Sequence, residues 1–166
     1  PEGADQPKDA DQPESAEEQE SAGQQAQPQQ AAPAAAPAAS TPGNGFCKNI
    51  ITVINKCADK VLNLTLKDVK IDVSNTGREN HAGKAALSVQ GEGNVEIELD
   101  GKNELKSGYN RAGLEKNTST GTLTLKDDSK EAGSLTATGG NNAAGIGGGF
   151  QGNGENITIT GGTVIA

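Results

Sequence analysis

From Phe46 onward, apolar and polar residues alternate in short runs, at 50–54, 61–73, 86–89, 95–99, 123–125, 134–138, 157–160 and 163–166. A period of two, with Thr, Val and Ile enriched and Gly, Asn and Asp between the runs, predicts strands. No stretch carries the three-to-four spacing of an amphipathic helix.

The runs also repeat. Three corners look alike: Asn80-His-Ala-Gly-Lys-Ala-Ala-Leu87, Asn110-Arg-Ala-Gly-Leu114 and Asn142-Ala-Ala-Gly-Ile146. Their apolar ends, Leu87, Leu114 and Ile146, lie 27 and 32 residues apart. The strand triplets Leu64-Thr-Leu66, Ile97-Glu-Leu99, Leu123-Thr-Leu125 and Ile157-Thr-Ile159 start 33, 26 and 34 residues apart. Two independent markers therefore give one irregular period near thirty. In a Gly-rich, strand-only chain this predicts an all-β fold, a parallel β-solenoid with coils of about 30 residues. Leu and Ile then stack inside it, and the backbone closes at corners where only Ala and Gly fit. The competing arrangement is an antiparallel sandwich with hairpins at Gly101, Gly121 and Gly161-Gly162. It gives no reason for the recurring Ala-Gly-Leu/Ile corner.

Composition divides the chain. All 28 Val, Ile, Leu and Phe residues lie at or after Phe46. Residues 1–45 begin as an acidic Glu/Asp/Gln/Pro run and become Ala/Pro/Gln-rich, with eight acids against Lys8. With no apolar side chain larger than Ala, burial cannot offset the entropy of ordering, so a disordered linker is expected there. Residues 46–166 form the expected solenoid domain, read as a fragment of a longer array. That domain holds 14 acids and 13 bases, within a chain of formal net charge −8. Such a balance gives no electrostatic footprint for nucleic acid or anionic membrane. No apolar stretch long enough for membrane insertion is present.

Residues 61–166 carry a further likeness. The stretches Ala86-Leu-Ser-Val, Leu99-Asp-Gly-Lys-Asn-Glu-Leu105, Arg111-Ala-Gly-Leu114, Gly121-Thr-Leu-Thr-Leu125, Gly133-Ser-Leu-Thr-Ala-Thr-Gly-Gly140, Ala144-Gly-Ile-Gly-Gly148 and Glu155-Asn-Ile-Thr-Ile-Thr-Gly-Gly-Thr-Val164 resemble the repeats of secreted or cell-surface proteins of gut Firmicutes. Those proteins are described as adhesin-like or carbohydrate-binding-domain-containing. The resemblance implies a right-handed β-helix on the bacterial surface and, for some distant members, polysaccharide binding with calcium.

Candidate chemistry is sparse. Tyr109, Asn110 and Arg111 join an aromatic ring to planar polar groups beside a corner, a combination suited to sugar rings and hydroxyls. The plainer reading, that Tyr109 and Phe150 cover coil edges, is preferred. Asp68 and Asp127 both follow Leu-x-Leu-Lys. Stacked coils would align them, with Asp128 adjacent, and Ca²⁺ would then relieve their repulsion; otherwise they are solvated turn acids. Cys47 and Cys57 either form a disulfide or stand as separate thiols. A bridge needs Cα atoms about 5.5–6 Å apart, so the extended residues between them would have to fold back. The match to G-x-G-x-x-G at Gly147–Gly152 lacks the strand–turn–helix setting of a nucleotide site.

Three functions follow in order: an adhesin-like surface module binding polysaccharide or host glycan on a flexible stalk, a structural spacer without a site, and a β-helix polysaccharide lyase. The first two are not enzymes. A solenoid end is also an open strand edge, so edge-to-edge self-association is expected.

Overall fold

The structure, a computed structural model, describes residues 45–117 and 119–166. Apart from Gly45, the expected linker over residues 1–45 lies outside the described residues. Among the described residues twelve strands form: β1 (Ile51–Ile54), β2 (Val61–Lys67), β3 (Lys70–Asp72), β4 (Leu87–Gln90), β5 (Asn94–Asp100), β6 (Lys102–Lys106), β7 (Leu114–Glu115), β8 (Leu123–Lys126), β9 (Ser134–Thr138), β10 (Ile146–Gly147), β11 (Ile157–Ile159) and β12 (Thr163–Ile165). They sort into three four-stranded sheets, each taking every third strand: β1-β4-β7-β10, β2-β5-β8-β11 and β3-β6-β9-β12. All the strand pairings are parallel. Each consecutive trio is one coil, and the coils stack as a three-faced β-solenoid.

Parallel pairing removes the sandwich alternative. Gly101 joins β5 to β6, Gly121 lies between β7 and β8, and Gly161-Gly162 join β11 to β12; in each case the strands belong to different sheets. These glycines turn corners and do not close hairpins. Gly101 has φ of 65°, and a Cβ there would collide with the Asp68 carboxylate of the coil below. Asp68 takes the same corner in the first coil with φ of 51°, which divides the long 61–73 run into β2 and β3.

The corner markers fall in register. Ile51 pairs with Leu87, Leu87 with Leu114, and Leu114 with Ile146. In the second sheet Leu64 faces Ile97 and Ile157 faces Leu123, but Leu123 faces Val95 where equal spacing would place Ile97. A two-residue shift keeps every side chain on its face, so the interior survives the change. Leu66, Ile97, Leu99, Leu123 and Leu125 are buried, whereas Ile159 on the last coil is exposed. Each fully buried Leu or Ile favours folding by roughly 1.5–3 kcal/mol over an exposed one.

Between the third and first faces the backbone itself is packed. A Cβ on Gly113 would stand 2.7 Å from Gly145 O and from Thr138 N. Asn110 and Asn142 both turn this corner at φ of 62°, and the Asn142 amide donates to Asn110 Oδ1 at 3.3 Å. Such positive φ values favour Asn among the non-glycine residues. At the other end of the stack, Cys47 hydrogen-bonds along β3, donating to Lys70 O and accepting from Asp72 N–H. Phe46 is buried there under the Lys106 ammonium, 4.3 Å from the ring centre.

Candidate functional site

The first face carries a cleft of about 370 Å³ between the second and third coils. β4 contributes Ser88 and Gln90, β7 contributes Glu115, and Arg111, Asn117 and Ser119 flank β7. Strand alternation explains the grouping. Leu87 and Leu114 point inward as a pair, so Ser88 and Glu115 are registered side by side on the outer face.

Glu115 is buried, and both oxygens of its carboxylate are engaged. Oε1 accepts from Arg111 Nη1 at 2.8 Å and from Asn117 Nδ2 at 3.2 Å, and Oε2 accepts from the Ala112 N–H at 3.2 Å. These contacts offset the cost of removing the charge from water. Arg111 also donates from Nε to Gly83 O at 3.2 Å, so its guanidinium ties the second coil to the third. Its side chain stays 39% exposed. Asn117 is held at both ends, since its Oδ1 accepts the Gly149 N–H at 3.0 Å. The outcome is a row of rigid planar donors and acceptors in which one positive and one negative charge cancel.

Lys116, the next residue, is turned away from water. It is 1% exposed, and its Nζ donates to Ser119 Oγ at 2.7 Å and Ser119 O at 3.2 Å. Burial pushes its pKa below the usual lysine value, with the charge of Glu155 acting in the other direction.

The residues singled out in the sequence are distributed differently. Tyr109, Asn110 and Arg111 do not form one cluster. Arg111 lines the first-face cleft, Asn110 turns the corner, and Tyr109 lines a separate hollow of about 260 Å³ with Lys106 and Thr138 at the end of the third sheet. The equal stacking expected of Asp68 and Asp127 does not occur. Lys126 is registered with Glu98, and Glu98 with Thr65, so Asp127 falls level with Leu66, two positions short of Asp68. The three acids are engaged separately, Asp68 across to the next coil and Asp127 within its own turn. Asp68 Oδ1 accepts the Lys102 N–H, Asp127 Oδ2 accepts the Gly133 N–H, and Asp128 pairs with Lys126 at 3.3 Å. Among the described residues no three His, Cys, Asp or Glu side chains converge on one point.

Cys47 and Cys57 are free thiols. Extended β1 separates them, with Cys47 bridging to Ile71 in the third sheet and Cys57 in the turn after β1, its N–H on Asn55 Oδ1. Among the described residues no helix is long and apolar enough to cross a membrane.

Ser88, Gln90, Glu115 and Asn117 escaped the sequence reading. The signal was present: once Leu87 is set against Leu114, Ser88 falls beside Glu115 and Gln90 beside Asn117. No family model, curated protein or solved structure matches the chain.

Proposed function

We propose that the chain is a binding module of the bacterial cell surface, with the Arg111–Glu115–Asn117 cleft taking a saccharide. The observation that carries this reading is the pre-organised polar row. A guanidinium, two carboxamides and a hydroxyl stand at fixed positions on a rigid sheet, the groups suited to the donors and acceptors of sugar hydroxyls. A cleft of about 370 Å³ lies within the range of small-ligand sites. Because Arg111 and Glu115 neutralise one another, an uncharged glycan is favoured over an acidic one. Glu115 is engaged by three donors, which favours a positioning role over acid–base chemistry. The resemblance of residues 61–166 to adhesin-like repeats points the same way.

The test is a glycan array probed with the whole chain, its Gln90→Ala variant and its Arg111→Ala variant, with and without calcium. Gln90 is exposed, so its loss leaves the fold unstrained. One lost hydrogen bond of about 1.4 kcal/mol weakens binding about tenfold. We expect binding to neutral glycans by the parent chain, about tenfold weaker binding by Gln90→Ala with an unchanged melting temperature, and a larger loss in Arg111→Ala. An array on which the parent binds no glycan would replace this reading with that of a structural spacer.

A further inference from the structure

The Arg111–Glu115–Asn117 cleft is lined by polar groups without an aromatic wall, and the turn whose backbone packs against it carries an aromatic residue just outside that lining. Phe150 sits in the turn 149–152, which is closed by the Gly152 N–H on Gly149 O at 2.8 Å and has Gln151 at φ of 56°. The turn is fastened at two points, one on the cleft residue Asn117 and one on the corner residue Asn110. The Gly149 N–H donates to Asn117 Oδ1 at 3.0 Å, and the Phe150 N–H donates to Asn110 O at 3.0 Å. A Cβ on Gly149 would stand 2.9 Å from Glu115 Oε2, so this backbone lies directly against the buried carboxylate.

The Phe150 side chain does not cover a coil edge as a core residue would. It is 50% exposed, whereas Phe46 is buried and Tyr109 is half-buried. Among the described residues it is therefore the one aromatic with half its surface in water. The fold asks for little at this position: the turn is set by the glycines around it and by backbone hydrogen bonds. An apolar ring held in water on a fastened turn is pre-organised for a partner, because little conformational freedom remains to be lost on contact.

We propose that Phe150 is the stacking platform of the cleft, taking the C–H face of a pyranose whose hydroxyls reach Arg111, Asn117 and Gln90. The ring's negative face attracts the weakly positive C–H groups, and water leaves both apolar surfaces. This inference rests on the saccharide-binding reading and adds to it the part of the sugar that is recognised: a neutral ring with an unhindered C–H face.

The experiment is affinity electrophoresis of the whole chain through gels containing soluble mixed-linkage β-glucan, mannan, xylan or, as the acidic comparison, polygalacturonate. We expect retardation by at least one neutral polymer and a roughly three- to tenfold loss of affinity in Phe150→Ala and Phe150→Leu. Phe150→Trp should bind at least as well as the parent, and as the sole Trp of the chain its fluorescence should shift on adding that polymer. All three variants should keep the parent's melting temperature. If Gln90→Ala weakens binding but Phe150→Ala does not, the stacking role is refuted and the cleft reading stands. If Phe150→Leu binds like the parent, the contact is not aromatic stacking and the proposal fails. If the parent is retarded by none of the neutral polymers, the saccharide reading itself falls.

Discussion

Glu115 and Lys116 are neighbours in the chain. Each is buried, and each is satisfied differently. Glu115 meets a full positive charge from Arg111, whereas the Lys116 ammonium donates to the hydroxyl and carbonyl of Ser119 and feels the Glu155 charge, which is outweighed by burial. Burial therefore lowers the Lys116 pKa from the ordinary 10.5. The folded chain then holds that proton less tightly than the unfolded chain. Stability consequently rises with pH through the window between the folded value and 10.5, and the cost of the buried charge is fully present below it. Lys116→Met should remove this contribution. Urea unfolding of both chains from neutral pH to 10.5 should show the parent gaining on Lys116→Met as pH rises, and a constant difference would contradict the assignment. Ser119 O keeps a donor in the variant, the Asn156 amide at 3.3 Å. At this scale the sequence disclosed the inward leucines through their period. It did not disclose the two charged residues, because a two-residue strand such as β7 shows too little alternation to reveal which way each side chain points.

Strands were legible where two or more apolar residues marked the inner face, as in β5 with Val95, Ile97 and Leu99. β6 was hidden because Leu105 is its only apolar residue. Its second inward position is Asn103, 1% exposed, whose amide donates to Leu66 O, Asp100 O and Ser134 O while its Oδ1 accepts the Val69 N–H. A polar side chain that satisfies four backbone groups in a corner looks like a surface residue in sequence. Register was harder still, since a two-residue shift conserves the hydrophobic pattern. The pairing of β5 with β8 is open to a direct chemical check, in chains with Cys47 and Cys57 replaced by Ser. Glu96 is registered with Thr124, so Glu96→Cys with Thr124→Cys places Cα atoms about 4.8 Å apart, within disulfide reach. Equal spacing of the Leu/Ile triplets would instead set Glu98 against Thr124, which in the observed register are roughly 8 Å apart. Mild oxidation should close the 96–124 bridge quantitatively by thiol titration and leave the 98–124 pair reduced. The reverse pattern would mean that the third coil is displaced.

At the scale of the molecule, two markers of one period near thirty were enough to read coils, and the Ala-Gly corners were enough to favour a parallel stack over a sandwich. The cleft was not legible in the same way. It exists only when β4 and β7 lie in register and Arg111 reaches back to Gly83, a contact between residues 28 positions apart. Tyr109 and Arg111, two residues apart in the chain, are separated because the corner between them sends one toward the end of the third sheet and the other onto the first. We propose that the solenoid is a scaffold for one saccharide cleft on its first face. Amide NMR of the whole chain, titrated with the neutral oligosaccharide that binds best on the array, tests it most directly. Shift changes should concentrate at Ser88, Gln90, Gly91, Arg111, Glu115 and Asn117, with Phe150 joining them if the stacking inference holds. Changes centred instead on Tyr109, Lys106 and Thr138, or a saturating ligand that leaves the first face unperturbed, would contradict it.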